Sequence, residues 1–229
     1  MSDLVKVLIA DKMDSRAAAI FRERGIEVDE KPGLAVDELA AIIGDYDGLA
    51  VRSSTKVTAP IMDAALPRLR VIGRAGIGVD TIDVPAASAR GIVVMNTPFG
   101  NSITTAEHAI AMLFALAREI PDANQSTQAG KWEKNRFMGV ELTSKTLGLI
   151  GCGNIGSIVA DRALGLRMKV IAYDPFLTPE RAVDLGVEKA DLDQLLARAD
   201  FITLHTPLTE QTRNILSREN LAKAKRGVR

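Results

Sequence analysis

The chain is short of several things that commonly announce a function. Its 229 residues hold one cysteine, Cys152. No internal disulfide is possible, and a reducing compartment, read as the cytoplasm, is expected. Histidines number two, His108 and His205, and no H-x-x-x-H or C-x-x-C spacing occurs, so no metal site emerges. Charge of either sign is not in excess: 29 basic residues balance 29 acidic ones. That balance argues against bulk binding to nucleic acid or to an anionic membrane. No apolar run reaches membrane-spanning length. The opening MSDLVKVLIAD is charged and too poor in apolar residues for a signal peptide. Without a secretory signal, the glycosylation pattern at Asn124-Gln125-Ser126 reads as chance. Internal repeats, low-complexity tracts and a nucleophile elbow are also missing. What remains is a composition, 47% hydrophobic and 25% charged, ordinary for a globular protein. The length allows one large domain or two small ones.

The most informative stretch runs from Thr146 to Asp174. Leu147-Gly148-Leu149-Ile150 is an apolar run short enough for a buried strand. Gly151, Gly153 and Gly156 follow in the order G-x-G-x-x-G. Ile155, Val159, Ala163 and Leu166 then share one face of a helix, and Val170-Ile171-Ala172-Tyr173 ends in Asp174. This is the strand–turn–helix–strand–acid order of a dinucleotide site. Gly151 permits the tight turn, Gly153 leaves room for a pyrophosphate, and Gly156 permits close helix–sheet packing. Free N–H groups at the helix start face the phosphates. Asp174 is placed to accept from the adenosine ribose hydroxyls and to repel a 2′-phosphate, so NAD is expected over NADP. Cys152 fills a variable slot of the turn as a small residue.

Before this stretch, strands and helices alternate. Strands are expected at 5–10, 26–28, 48–51, 69–72 and 92–95, and helices at 15–24, 36–43, 61–66 and 83–89. Asp14 is a candidate N-cap, Gly25 a helix stop, and Pro60 a first-turn residue. The alternation predicts a parallel sheet covered on both faces. Arg52 and Arg74 each follow the carboxyl end of an expected strand, where ligands bind in such sheets. One loop arginine is usually a solvated one. Two at equivalent strand ends, beside Ser53-Ser54-Thr55 and Gly76-Ile77-Gly78, point to a carboxylate or phosphate site.

Polar Asn96 to Asn101 separates two α/β units, with the change of domain at 98–99. A long helix is expected over 103–119 and a second over 122–129. His108, on the first, reads as packed or interfacial. The basic, aromatic stretch 130–139 holds the lone tryptophan, Trp132. A surface loop with an aromatic anchor is the preferred reading; the alternative lends a cation to a partner's active site. After Asp174, helices are expected at 180–185, 192–199 and 217–223. Asp200 to Leu204 reads as the third strand of this unit, ending in His205-Thr206-Pro207, and 225–229 as the approach to a fourth.

These residues together resemble the D-isomer-specific 2-hydroxyacid dehydrogenases. The matching stretches are VRSSTKVT (51–58), VIGRAGIGVDTID (71–83), GIVVMNTPFGNS (91–102), GKWEKNRFMGVEL (130–142), TLGLIGCGNIG (146–156), YDP (173–175) and FITLHTPLTEQT (201–212). The resemblance implies an α/β fold of two doubly wound parallel-sheet domains. A flavodoxin-like substrate domain would span 1–98, and a Rossmann nucleotide domain 99–229, the second incomplete. It implies substrate contacts from Arg52, Ser53, Arg74 and Asn101. Cofactor contacts would come from Ile77, Gly151, Gly153, Asn154, Ile155, Gly156, Asp174, His205, Thr206 and Pro207. Ile77 departs from the small polar residue often found at its position. VRSSTKVT and GKWEKNRFMG point to NAD-dependent oxidation of D-3-phosphoglycerate to 3-phosphohydroxypyruvate, the entry step to serine, in a homodimer or homotetramer. The alternatives are another 2-hydroxy acid, such as glyoxylate or lactate, or a non-catalytic NAD-sensing regulator. The family's carbonyl-polarising arginine, its acid/base histidine and the orienting glutamate lie downstream of the HTP stretch, beyond Arg229. The 229 residues therefore read as an N-terminal portion with no catalytic residue, expected to be inactive alone.

Overall fold

The structure, a computed structural model, describes residues 4–229. The opening three residues of the MSDLVKVLIAD stretch lie outside it. The chain divides into two compact units, with the change after Asn101.

The first unit is a five-stranded parallel sheet. Strands β1 (Lys6–Ile9), β2 (Glu27–Glu30), β3 (Gly48–Val51), β4 (Val71–Arg74) and β5 (Val93–Asn96) lie in the order β2-β1-β3-β4-β5. Its helices are α1 (Ser15–Glu23), α2 (Val36–Ile42), α3 (Ala59–Ala65) and α4 (Val84–Ala89). Successive strand residues point to opposite faces, and the core divides accordingly. Leu8, Leu49, Val51 and Ile72 pack with Leu39, Ile61, Met62 and Ala87 from α2, α3 and α4. Ile9, Val28 and Ala50 pack with Ala18 and Phe21 of α1 on the other face. Asp14 caps α1 by accepting from Arg16 N, and Asp83 caps α4 by accepting from Ala86 N.

The second unit carries α5 (Ser102–Ala117), α6 (Ile120–Gln128), β6 (Thr146–Ile150), α7 (Asn154–Gly165), β7 (Lys169–Tyr173) and α8 (Pro179–Leu185). It continues through β8 (Glu188–Lys189), α9 (Leu192–Arg198), β9 (Phe201–Leu204) and α10 (Arg218–Leu221). The parallel sheet runs β8-β7-β6-β9. Leu147, Leu149, Val170 and Ala172 face α5 and α7, while Ile150 and Ile171 face Leu195 of α9. Between α5 and α6, Glu119 takes a left-handed φ of 54° and Pro121 stands in the first turn of α6. Proline there starts a helix without losing a needed donor.

Two expectations need correcting. Phe201–Leu204 is the fourth strand of its sheet, because Glu188–Lys189 pairs with Ile171 and Ala172 as a short edge strand. Two charged residues leave no apolar pattern to read. β4 begins two residues later than expected, since Arg70 N and Val71 N both reach Asp47 O ahead of it. Arg74 is consequently the last residue of a strand rather than part of the loop beyond. At 225–229, expected as the approach to a further strand, Arg229 N donates to Asp200 O and Arg229 O accepts from Ile202 N beside β9.

Candidate functional site

In the second sheet the chain order reverses between β6 and β9. Ligands of open α/β sheets bind outside the carboxyl ends of strands at such a point. Two segments meet there, Gly151–Gly153 after β6 and His205–Pro207 after β9. Gly151 has a φ of 90°, and a β-carbon on it would stand 2.7 Å from His205 O and 2.8 Å from Thr206 Cγ2. Gly156 is buried, and a β-carbon there would collide with Gly151 O. Gly153 is the opposite case: it is exposed, and nothing lies within 4 Å of its missing β-carbon. Gly153 also N-caps α7 without a side-chain bond. The first N–H groups of that helix lack intrahelical acceptors and carry its positive dipole end.

Asp174, one residue past β7, holds the turn from the side. One carboxylate oxygen accepts from Cys152 N at 2.7 Å and the other from Phe176 N at 2.8 Å. Both oxygens keep a lone pair for a further donor. Burial pushes the Cys152 thiol up, and the Asp174 charge adds to that, so the thiol stays protonated. His205 is half-buried, with Nε2 3.0 Å from Thr203 Oγ1, and burial lowers its pKa. Asn154 is exposed and Ile155 half-buried at the helix start.

In the first sheet the order reverses between β1 and β3. Asp11, just past β1, is 3% exposed. Its Oδ2 accepts from Arg52 N (2.6 Å), Thr55 N (3.2 Å) and Ser54 N (3.3 Å), and its Oδ1 from Thr55 Oγ1 (2.7 Å). Burial raises its pKa, but the Thr55 hydroxyl and the three amides outweigh that and hold it below the usual value. Arg52, Ser53 and Ser54 are exposed, and the Arg52 guanidinium makes one contact, Nη1 to Lys12 O at 3.3 Å. Arg74 lies differently from its expected open position. Its side chain is 10% exposed and donates to Arg52 O (3.0 Å), Asp80 Oδ1 (2.8 Å) and Gly78 O. Ile77 offers its carbonyl to Asn96 Nδ2 at 2.6 Å, so its main chain rather than its side chain is fixed. Asn101 is exposed at the unit's end.

A family model, D-isomer specific 2-hydroxyacid dehydrogenase, NAD binding domain, matches residues 110–229. The chain belongs to that family. A D-3-phosphoglycerate dehydrogenase from Synechocystis is 50% identical over 222 residues, covering 97% of this chain and 40% of the relative. The chain thus spans about two fifths of the length of such curated relatives. Among solved structures, the TT0316 protein from Thermus thermophilus aligns at 35% identity with a TM-score of 0.87, over 97% of this chain and 71% of that one. A glyoxylate reductase from Paecilomyes thermophila gives a TM-score of 0.90 at 28% identity, over 100% of this chain and 72% of its own.

The family's NAD-binding domain accounts for the glycine turn, and the residues present fit a dinucleotide. The tight places are glycines, the exposed place is open, and an uncapped helix start faces it. Two residues that matter to these sites escaped the sequence reading. Thr203 holds the His205 ring. Asp11 holds the 52–55 loop, and its signal was present: an apolar run, VKVLIA, ends in an aspartate as VIAY does before Asp174. The aromatic stretch also has an unforeseen anchor, where buried Ser126 Oγ donates to Glu133 Oε2 at 2.6 Å. Trp132 is 85% exposed, so it does not itself anchor that loop, and His108 is exposed rather than packed.

Proposed function

We propose that the chain is the substrate- and NAD-binding part of an enzyme that oxidises D-3-phosphoglycerate to 3-phosphohydroxypyruvate in the cytoplasm. One observation carries the choice of substrate: identity to a D-3-phosphoglycerate dehydrogenase is 50%, against 28% to a glyoxylate reductase of the same fold. Bound NAD would supply the hydride acceptor. The start of α7 and Gly153 would hold its pyrophosphate, with Asn154 and Ile155 alongside. Asp174 would take the adenosine ribose, and Thr206, Pro207 and His205 would line the β9 side. A second negative charge beside the Asp174 carboxylate is unfavourable, which supports NAD over NADP. Arg52, Ser53 and Asn101 would hold the anionic groups of the substrate, and the Ile77 main chain would meet the cofactor.

Oxidation of a hydroxyl also needs a group to accept its proton. Neither histidine is suited to this. His205 is paired with Thr203, and His108 lies exposed on α5. Turnover by these residues alone is therefore not expected. The exposed apolar residues Met112 and Leu116 on α5, with Ile120 at the start of α6, support self-association into a homodimer or homotetramer.

Calorimetric titration tests this reading. The chain is expected to bind NAD at least about tenfold more tightly than NADP, the effect of roughly one lost charge-assisted hydrogen bond plus repulsion. It is expected to bind D-3-phosphoglycerate in preference to D-lactate or glycolate. Equal affinity for NAD and NADP defeats the cofactor assignment, and equal affinity for the three acids defeats the substrate. Sedimentation of the same samples as monomers would remove the self-association.

A further inference from the structure

Arg52 is held by its main chain from two sides. Its N–H donates to Asp11 Oδ2 at 2.6 Å, and its C=O accepts from Arg74 Nε at 3.0 Å. Both holding groups are nearly out of solvent: Asp11 is 3% exposed and the Arg74 side chain 10%. Both come from neighbouring strands, Asp11 from the end of β1 and Arg74 from the end of β4, on either side of β3. The guanidinium of Arg52 is left exposed at the point where the strand order reverses.

We propose that Asp11 and Arg74 are positioning residues that clamp the Arg52 main chain and thereby aim its guanidinium at the substrate's anionic group. The proposal rests on the reading above that Arg52 grips that group. The physical reason lies in the donors. A loop that binds an anion commonly does so with its own N–H groups. Here the amides of Arg52, Ser54 and Thr55 all turn inward onto one carboxylate. Of the donors in this loop, three of the four amides from Arg52 to Thr55 are thereby used within the protein, and a ligand is left mainly the side chains of Arg52 and Ser53. Side chains bind tightly when their backbone is fixed beforehand, because less freedom is lost on binding. The buried Asp11 carboxylate would by itself repel an anionic ligand. Four donated bonds to its two oxygens offset that charge at close range.

The clamp is tested by a double-mutant cycle on D-3-phosphoglycerate affinity, read by calorimetry on the full 229-residue chain, with NAD affinity measured in parallel. Asp11→Ala and Arg52→Met are each expected to weaken D-3-phosphoglycerate about tenfold or more, the usual effect of losing a hydrogen bond to a charged group. NAD affinity is expected to stay within about twofold, because no NAD contact is assigned to either residue. Once Asp11 is alanine, adding Arg52→Met is expected to cost less than about twofold more, because coupled residues are not additive. Asp11→Asn is expected to restore most of the affinity. Its carbonyl oxygen can take the three amides while its NH₂ donates to Thr55 Oγ1. Should Asp11→Ala fail to fold, Thr55→Val removes one bond from Oδ1 and carries the same cycle. If Asp11→Ala leaves D-3-phosphoglycerate affinity unchanged, or its loss adds fully to that of Arg52→Met, the clamp is overturned and the reading of Arg52 stands. If the parent chain binds no D-3-phosphoglycerate, or Arg52→Met changes nothing, the reading of the site falls and the clamp falls with it.

Discussion

The two sheets place a loop at the same topological point and use its backbone in opposite ways. After β6 the first amides of α7 have no intrahelical acceptor, and Gly153 just ahead of them leaves open space where a side chain would stand. After β3 the amides of Arg52, Ser54 and Thr55 bond inward to Asp11, and Arg52 and Ser53 are exposed. A backbone site reads any phosphate that fits, which suits a cofactor shared by many enzymes. A side-chain site can be altered residue by residue, which suits the part that distinguishes one 2-hydroxy acid from another. The acid after each first strand shows the same division. Asp174 supports its turn with two amides and keeps lone pairs for a ligand, whereas Asp11 is buried and wholly internal.

The sharpest way to break the comparison is to put a side chain where the turn has none. Gly156→Ala drives a methyl group into Gly151 O. The turn or α7 must move, and overpacking of this kind costs about 3 kcal/mol. Urea unfolding followed by far-ultraviolet circular dichroism is expected to show that loss. A midpoint unchanged from the parent would mean that the close approach of α7 is not needed.

A smaller effect is expected at Asp11. Replacing it with alanine leaves inward-turned amides without an acceptor, at about 1–3 kcal/mol for the buried groups concerned. The acid dependence carries a definite sign. The folded pKa of Asp11 lies below its ordinary 3.8, so the stability it contributes is complete above pH 3.8 and disappears as the pH falls through the lower folded value. Other carboxylates here behave alike, Asp47 and Asp200 among them. The useful quantity is therefore the difference between the parent and Asp11→Asn. That difference is expected to shrink below pH 3.8 in a series of unfolding midpoints. A difference that stays constant to lower pH would show that the carboxylate charge is not what the loop requires.

How much was legible in the sequence follows from the range over which each feature acts. The glycine turn was legible because each glycine answers a constraint set within a few residues: a positive φ, a close helix, an open face. Strand and helix alternation was legible for the same reason, through period and through a cap at Asp14. The clamp on Arg52 was not, because its bonds join residues 22 and 41 positions apart and depend on which strands become neighbours. Arg74 was singled out as a candidate substrate contact beyond a strand end. Its orientation onto Arg52 O, Gly78 O and Asp80 is decided by packing that no spacing rule encodes. The short strand Glu188–Lys189 is made by its position beside β7, not by its residues.

The smallest expected change in stability belongs to Gly153, and it separates fold from function most cleanly. Its φ of −76° is open to any residue, and nothing lies within 4 Å of the position a β-carbon would take. Gly153→Ala should therefore leave the unfolding midpoint near that of the parent, within about 0.5 kcal/mol, as for surface substitutions away from special features. In the proposed site, the added methyl would stand where the pyrophosphate approaches the start of α7. NAD affinity should accordingly fall about tenfold or more, the cost of holding a phosphate off a charge-assisted hydrogen bond. Paired with Gly156→Ala, which is expected to act on stability first, this variant divides the G-x-G-x-x-G run into a residue kept for packing and one kept for the ligand. If Gly153→Ala binds NAD as the parent does, the pyrophosphate does not lie against this backbone, and the contrast between the backbone site after β6 and the side-chain site after β3 fails.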